Sequence, residues 1–264
     1  MIFLRRLLAP RNALILAYDH FTQESTEEME AQVDELRKYY RFVPLSELVR
    51  RLKSRSGPRG EASIAILNAR KSAMLRALPR LADRSIPFTV FLRTDCIGFN
   101  RLPAVDEAKL FQEQYPKELK DFDLAAFEKI AWVDPDGARK KLDQFRSAVG
   151  PFPIETIDPT LYFGTWGKVL EIPKELREFG VHLPAGENFT PLWKESLRFI
   201  RQQTKIAVTL AYSPQPIAGG EVALQRLGIG AVLTADSGIV DKKTSPFGLP
   251  QYGMEKNSHE EEQS

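Results

Sequence analysis

The segment from Ser63 to Arg93 constrains this chain more than any other. Ser63-Ile64-Ala65-Ile66-Leu67-Asn68 is a short apolar run, Ser72 to Arg84 has helical spacing, and Phe88-Thr89-Val90-Phe91-Leu92-Arg93 is a second apolar run. Such runs read as strands buried on both faces. A strand, a helix and a strand in this order close as a right-handed parallel crossover, so the chain is predicted to build a parallel α/β architecture. Ala13-Leu14-Ile15-Leu16-Ala17-Tyr18 repeats the apolar pattern and ends in the polar Asp19-His20, as a buried strand does when it delivers side chains to a barrel mouth.

Met29, Val33 and Leu36 recur at helical spacing and predict a helix over Thr26 to Tyr40, entered through a capping box of Ser25 and Glu28. Ser46 to Leu52 predicts a second amphipathic helix with a basic outer face, and Ser54 to Glu61 a loop. Residues 101–159 break the rhythm: charged helical patterns at Asp106 to Tyr115 and Asp136 to Val149, separated by prolines, predict a helical insertion. Beyond it, helices are expected at Pro173 to Phe179 and Gly220 to Leu227, and strands at Ile206 to Tyr212 and Ala231 to Thr234. Residues 255–264, with Glu260-Glu261-Glu262, read as a disordered tail that also carries His259.

Composition narrows the function classes. With 264 residues and 43% hydrophobic content the chain can bury the core of one barrel-type domain spanning residues 1–264. Lys+Arg of 37 against Asp+Glu of 35 leaves a net charge of +2, too balanced for a dedicated nucleic-acid binder, so no nucleic-acid partner is expected. The single cysteine, Cys96, excludes an internal disulfide and a cysteine-rich zinc cage. With no histidine near it in sequence, it reads as a small buried residue rather than a nucleophile. The start, Met1 to Pro10, is interrupted by Arg5-Arg6 and Pro10, and no run approaches the ~18 apolar residues of a membrane span. A cytoplasmic protein without a transmembrane segment is the expectation.

Several blocks, in order, resemble polysaccharide deacetylases with a NodB homology domain. Ile15-Leu16-Ala17-Tyr18-Asp19-His20 is similar to the family's Tyr-His segment after the first strand, and Val43-Pro44-Leu45-Ser46-Glu47-Leu48 to its Leu-x-Glu-Leu helix start. Ser63 to Arg70, Ala77-Leu78-Pro79 and Ile86-Pro87-Phe88-Thr89-Val90-Phe91 resemble the Thr-Phe-Asp-Asp-Gly strand, the Ala-Leu-Pro helix and the strand after it. Phe91 to Gly98 looks like that strand's end, Gly180-Val181-His182 to Asn188 like the Gly-x-His-x-x-x-His-x-Asn block, Leu210 to Pro214 like a groove loop, and Ser245 to Gly253 like the closing Pro-Phe-x-Leu-Pro-Arg-x-Gly. The resemblance implies a distorted (β/α) barrel with its groove at the C-terminal strand ends.

The same resemblance implies where a reaction would sit. In active relatives one aspartate is the general base, and a second aspartate with two histidines holds a divalent metal. Here the base position falls on Leu67, the metal-aspartate position on Asn68, and the second histidine position on Gly186, while His182 is retained. No catalytic residue and no cofactor is therefore expected. A pseudoenzyme of carbohydrate metabolism follows, binding a glycan, an anionic sugar or a protein of polysaccharide synthesis through Tyr18, Asp19, Asn68, Arg70, Lys71, Asp95, His182 and Tyr212. Arg70 and Lys71, directly after the vanished acidic pair, suggest an anion-tolerant mouth. The alternative is an active carbon-nitrogen hydrolase with relocated chemistry, holding zinc or another divalent metal with Asp19, His20, Asp95, His182 or Glu187.

Overall fold

The structure, a computed structural model, describes residues 10, 12–99, 101–150, 157–184, 190–215, 217 and 219–252, with 132 and 133 in backbone only. Gly186, Glu187, His259 and the predicted acidic tail lie outside the described residues. The strands are β1 (Ala13–Tyr18), β2 (Arg41–Phe42), β3 (Glu61–Ile66), β4 (Phe88–Leu92), β5 (Arg177–His182), β6 (Leu210–Tyr212), β7 (Ala231–Ser237) and β8 (Leu249–Gln251). They run in the order β1-β3-β4-β5-β6-β7-β8, with β2 beside β3, and every ladder is parallel. Tyr252 N donates to Ile15 O at 2.7 Å just after β8, which brings the last strand back to the first and nearly closes a distorted (β/α) barrel.

The period of two along each strand sorts side chains between two apolar cores. Ala13, Ile15 and Ala17 of β1, Ala65 of β3, Phe91 of β4, Leu210 and Tyr212 of β6 and Leu233 of β7 fill the interior together with Leu67. Leu45, Leu48, Val49 and Leu52 of the short helix α2 (Leu45–Leu52) join that cluster. The alternate positions, Leu16, Ile64, Ile66, Val90, Leu92, Phe179 and Val181, pack outward. Gly180 is required inside: a Cβ there would lie 2.4 Å from the Phe91 ring, so its absence leaves Phe91 room to sit 5.9 Å from Tyr212.

Helix α1 (Gln23–Leu36) begins earlier than its apolar spacing predicts, because Thr22 rather than Ser25 is the N-cap and Ser25 returns the second bond of the capping box. The segment after β3 enters through a π-helical turn, Ala73–Ala77, before α3 (Leu78–Asp83). Within the predicted insertion lie α4 (Ala104–Gln114), α5 (Leu124–Val133) and α6 (Pro135–Val149), around a separate apolar cluster of Phe111, Phe127 and Leu142. Full burial of each of these three side chains contributes ~1.5–3 kcal/mol. A helix over Pro173 to Phe179 is not formed. The helix there is α7 (Trp166–Glu171), a turn follows, and β5 starts at Arg177. Next come α8 (Thr190–Thr204) and α9 (Glu221–Arg226).

Candidate functional site

β1 ends at Tyr18 and β3 at Ile66, so the residues just beyond them turn over the barrel mouth. There Asn68 donates from Nδ2 to Asp19 Oδ1 at 2.5 Å, and its Oδ1 faces His182 Nδ1, at the end of β5, at 3.2 Å. The two contacts fix one another. An ionised carboxylate only accepts, so the Asn68 amino group must face Asp19; its oxygen then faces the ring, and Nδ1 must carry the imidazole proton. His182 is buried, and burial together with the nearby Arg93 charge pushes its pKa down to about 3, so the ring is neutral. Tyr212, at the end of β6, meets it edge-on with ring centroids 4.8 Å apart.

Arg70 completes the chain of contacts. Its Nε and Nη2 donate to Asp19 Oδ1 and Oδ2 at 3.2 and 3.4 Å, Nη2 to Asp106 Oδ2 at 2.7 Å, and Nη1 to the Leu161 carbonyl at 2.9 Å. Burial alone would raise the Asp19 pKa, but the Arg70 charge and these hydrogen bonds outweigh it and hold the carboxyl below its usual range. Asp106 belongs to α4, so this ion pair ties that helix to the mouth. The segment before α7 is fastened as well: Gly164 N donates to Ala69 O at 2.9 Å, and Lys71 N to Tyr162 O at 2.7 Å.

The structure thus brings Asp19, Asn68, Arg70, His182 and Tyr212 together at the C-terminal strand ends, with Leu67 buried in the interior layer beneath. Asp95 lies close enough to influence His182 but is engaged by Arg93, whose Nε and Nη2 reach its carboxylate at 3.1 and 3.0 Å. Tyr18 departs from the expected groove. It faces the outer layer, its hydroxyl donating to Gln32 of α1 at 2.5 Å, because neighbouring strand residues point to opposite faces. Arg70 is also not an open anion site, since it is 4% exposed and held between two carboxylates. Lys71 lies with its ammonium 5.6 Å from the Tyr162 ring centroid. His20 follows β1 half-buried, its pKa lowered by burial and by the Arg70 charge. Cys96 is fully buried, and burial pushes its thiol up to about 12, which removes it as a nucleophile.

Sequence reasoning missed Asp106 and Arg93. Arg93 stands two residues before Asp95 at a strand end, a spacing that could have flagged the pair; Asp106 carries no such signal. Among the described residues, the donor set at the mouth does not fit a divalent metal. The Leu67 side chain has no ligand atom, both amide atoms of Asn68 are committed to Asp19 and His182, and a guanidinium stands against Asp19. Among the described residues there is no group of three or more His, Cys, Asp or Glu that could hold a metal ion, and no helix is long and apolar enough to cross a membrane.

Neither a family model nor any curated protein matches the sequence. Solved structures do match the fold. IcaB from Ammonifex degensii superposes with a TM-score of 0.61 at 15% identity, covering 94% of each chain. The deacetylase PplD of Streptococcus pyogenes, solved with acetate, gives 0.59 at 12% identity over 93% of each chain. A de-N-acetylase from Aggregatibacter actinomycetemcomitans gives 0.55 at 14% identity, over 92% of this chain and 96% of its own. Barrel, strand order and these superpositions together show that this chain has the NodB-like polysaccharide deacetylase fold.

Proposed function

We propose that this protein is a deacetylase-like glycan-binding protein whose mouth has exchanged metal-dependent hydrolysis for hydrogen-bonded recognition. The observation that carries this reading is the Arg70–Asp19–Asn68–His182 chain, which joins at the strand ends Asn68 and His182, two of the positions where the family resemblance puts its metal ligands. A neutral imidazole, a carboxamide and an ionised carboxylate are fixed donors and acceptors, as recognition of sugar hydroxyls requires. The Asp19 side chain is 36% exposed, and the Tyr212 ring packs edge-on against His182. Because Arg70 is already neutralised, the reading favours a neutral glycan over an anionic sugar. The deacetylases that share the fold suggest N-acetylated glycans as the first class to try.

The test is a thermal-shift panel of chito-oligosaccharides, acetylxylan fragments and sugar phosphates, since a ligand specific to the folded state raises the midpoint with occupancy. Zinc analysis and a deacetylation assay on the same substrates complete it. A neutral glycan that shifts the midpoint in the parent but not in Asp19→Asn supports the reading. Metal-dependent release of acetate by the parent overturns it in favour of relocated hydrolysis. A mouth covered by a partner protein in pull-down, with no glycan bound, replaces the glycan by a protein of polysaccharide synthesis.

A further inference from the structure

The atoms around Arg70 form an unusual set for a side chain to fill. Both oxygens of Asp19, Oδ2 of Asp106 and the Leu161 carbonyl oxygen converge on one guanidinium at 2.7 to 3.4 Å. Two carboxylates and a backbone carbonyl are hard oxygen donors, the type that Ca²⁺ or Mg²⁺ takes, with water completing the shell. They come from three parts of the chain: the end of β1, helix α4 of the insertion, and the segment before α7. The Phe163 ring flanks the guanidinium, 5.3 Å from its carbon, and Arg70 is buried. A single positive charge therefore organises two negative ones and the three segments that carry them.

We propose that Arg70 is the resident cation of the barrel mouth: its guanidinium fills the oxygen cage of Asp19, Asp106 and Leu161 and supplies the charge neutralisation and segment ordering that a bound divalent ion would otherwise provide. A diffusible ion cannot share the cage while the guanidinium holds both carboxylates, so the mouth is metal-independent by construction. Removing the charge converts the same oxygens into a cation site with two uncompensated carboxylates. The inference concerns the mouth read above as a glycan groove but needs no ligand there.

Arg70→Gln keeps a donor toward the Leu161 carbonyl and removes the charge; Arg70→Lys keeps the charge as a point. Full-length parent and variants, stripped with EDTA, are titrated with CaCl₂ and with MgCl₂, read by thermal shift and by isothermal titration calorimetry. The parent midpoint should not respond to either ion. Arg70→Gln should melt lower, regain most of the loss with one of the ions, and bind a single ion per chain. Adding Asp106→Asn should weaken that binding by about tenfold or more. A folded Arg70→Gln that ignores both ions, or a parent that binds them as tightly as the variant, overturns the proposal. If Arg70→Gln fails to fold without metal, recovery in Ca²⁺ or Mg²⁺ supports the proposal. Arg70→Lys should fold and ignore both ions; a lysine variant as unstable as the glutamine one, with neither rescued by an ion, overturns it. Glycan binding by the parent is scored separately, so failure of the glycan reading leaves these outcomes unchanged.

Discussion

Asn68 Nδ2 lies 2.5 Å from Asp19 Oδ1, a hydrogen bond that ties the end of β3 to the end of β1. It also decides chemistry beyond itself. Because the amide cannot flip without facing its oxygen to a carboxylate, it dictates the proton position on His182 and leaves Nε2 as the ring's lone-pair nitrogen.

Asn68→Asp reverses that logic. Two carboxylates would then share the space now closed by one hydrogen bond, and the pair's folded pKa would rise above the unfolded value of ~3.9. A raised acidic pKa costs stability above the unfolded pKa. The variant should lose about 1–3 kcal/mol at pH 7 and recover much of it near pH 4. Urea denaturation at the two pH values checks this, and a variant as stable as the parent at pH 7 counts against the assigned geometry.

His182 makes a second pH prediction. Its pKa is pushed down from 6.5 to about 3 by burial, so between those values the unfolded state binds more protons than the folded one. Stability contributed by the neutral ring is complete above the unfolded pKa and is lost as pH falls through that window. Asp19 and Asp95, also lowered, add the same sign only below about 3.8. Melting midpoints between pH 7 and pH 4.5 should therefore fall in the parent and fall less in His182→Gln; parallel curves would reject the buried neutral imidazole.

Much of this was legible from residue order. The strand cores follow from apolar runs, and the meeting of Asn68 with His182 from block order. The outward turn of Tyr18 was also readable, since its neighbour Asp19 faces the mouth. β5 was obscured because its inward face carries Glu178, Gly180 and His182 rather than apolar residues, so its alternation with Phe179 and Val181 reads poorly by composition. Asp106 could not be found at all. Its contact with Arg70 exists only once α4 docks on the barrel, and nothing local in α4 distinguishes it from the solvent-facing acids of a helix first turn.

Among helices α4 to α6, Glu107 is buried and paired with Arg139 Nη1 at 2.7 Å and with Arg146. Glu107→Ala leaves two guanidiniums around an emptied site and should cost about 3–5 kcal/mol, whereas Glu107→Gln, which keeps an acceptor, should cost less. Hydrogen exchange of α4 to α6, followed by mass spectrometry, should show that loss concentrated in these helices. Uniform loss across barrel and insertion would mean that the separate apolar cluster is not a separate unit of stability.

Leu67→Asp tests whether a carboxylate is tolerated at the position to which the family resemblance assigns the base. Leu67 is 8% exposed and belongs to the interior cluster with Ala17, Phe91 and Tyr212. A carboxyl at that depth is pushed to a raised pKa by burial, so its cost grows as pH rises above the unfolded value. The variant should be less stable than the parent at pH 7 by about 2–5 kcal/mol, counting lost apolar packing and the ionisation penalty together, and by less at pH 4.5. It should show no deacetylation of chito-oligosaccharides, because Arg70 still holds Asp19 and Asn68 still spends both amide atoms. A Leu67→Asp protein that is as stable as the parent, or that releases acetate, would mean that the interior layer retains space and polarity for a base. The pseudoenzyme reading proposed above would then rest on residue 67 alone rather than on the Arg70-centred mouth.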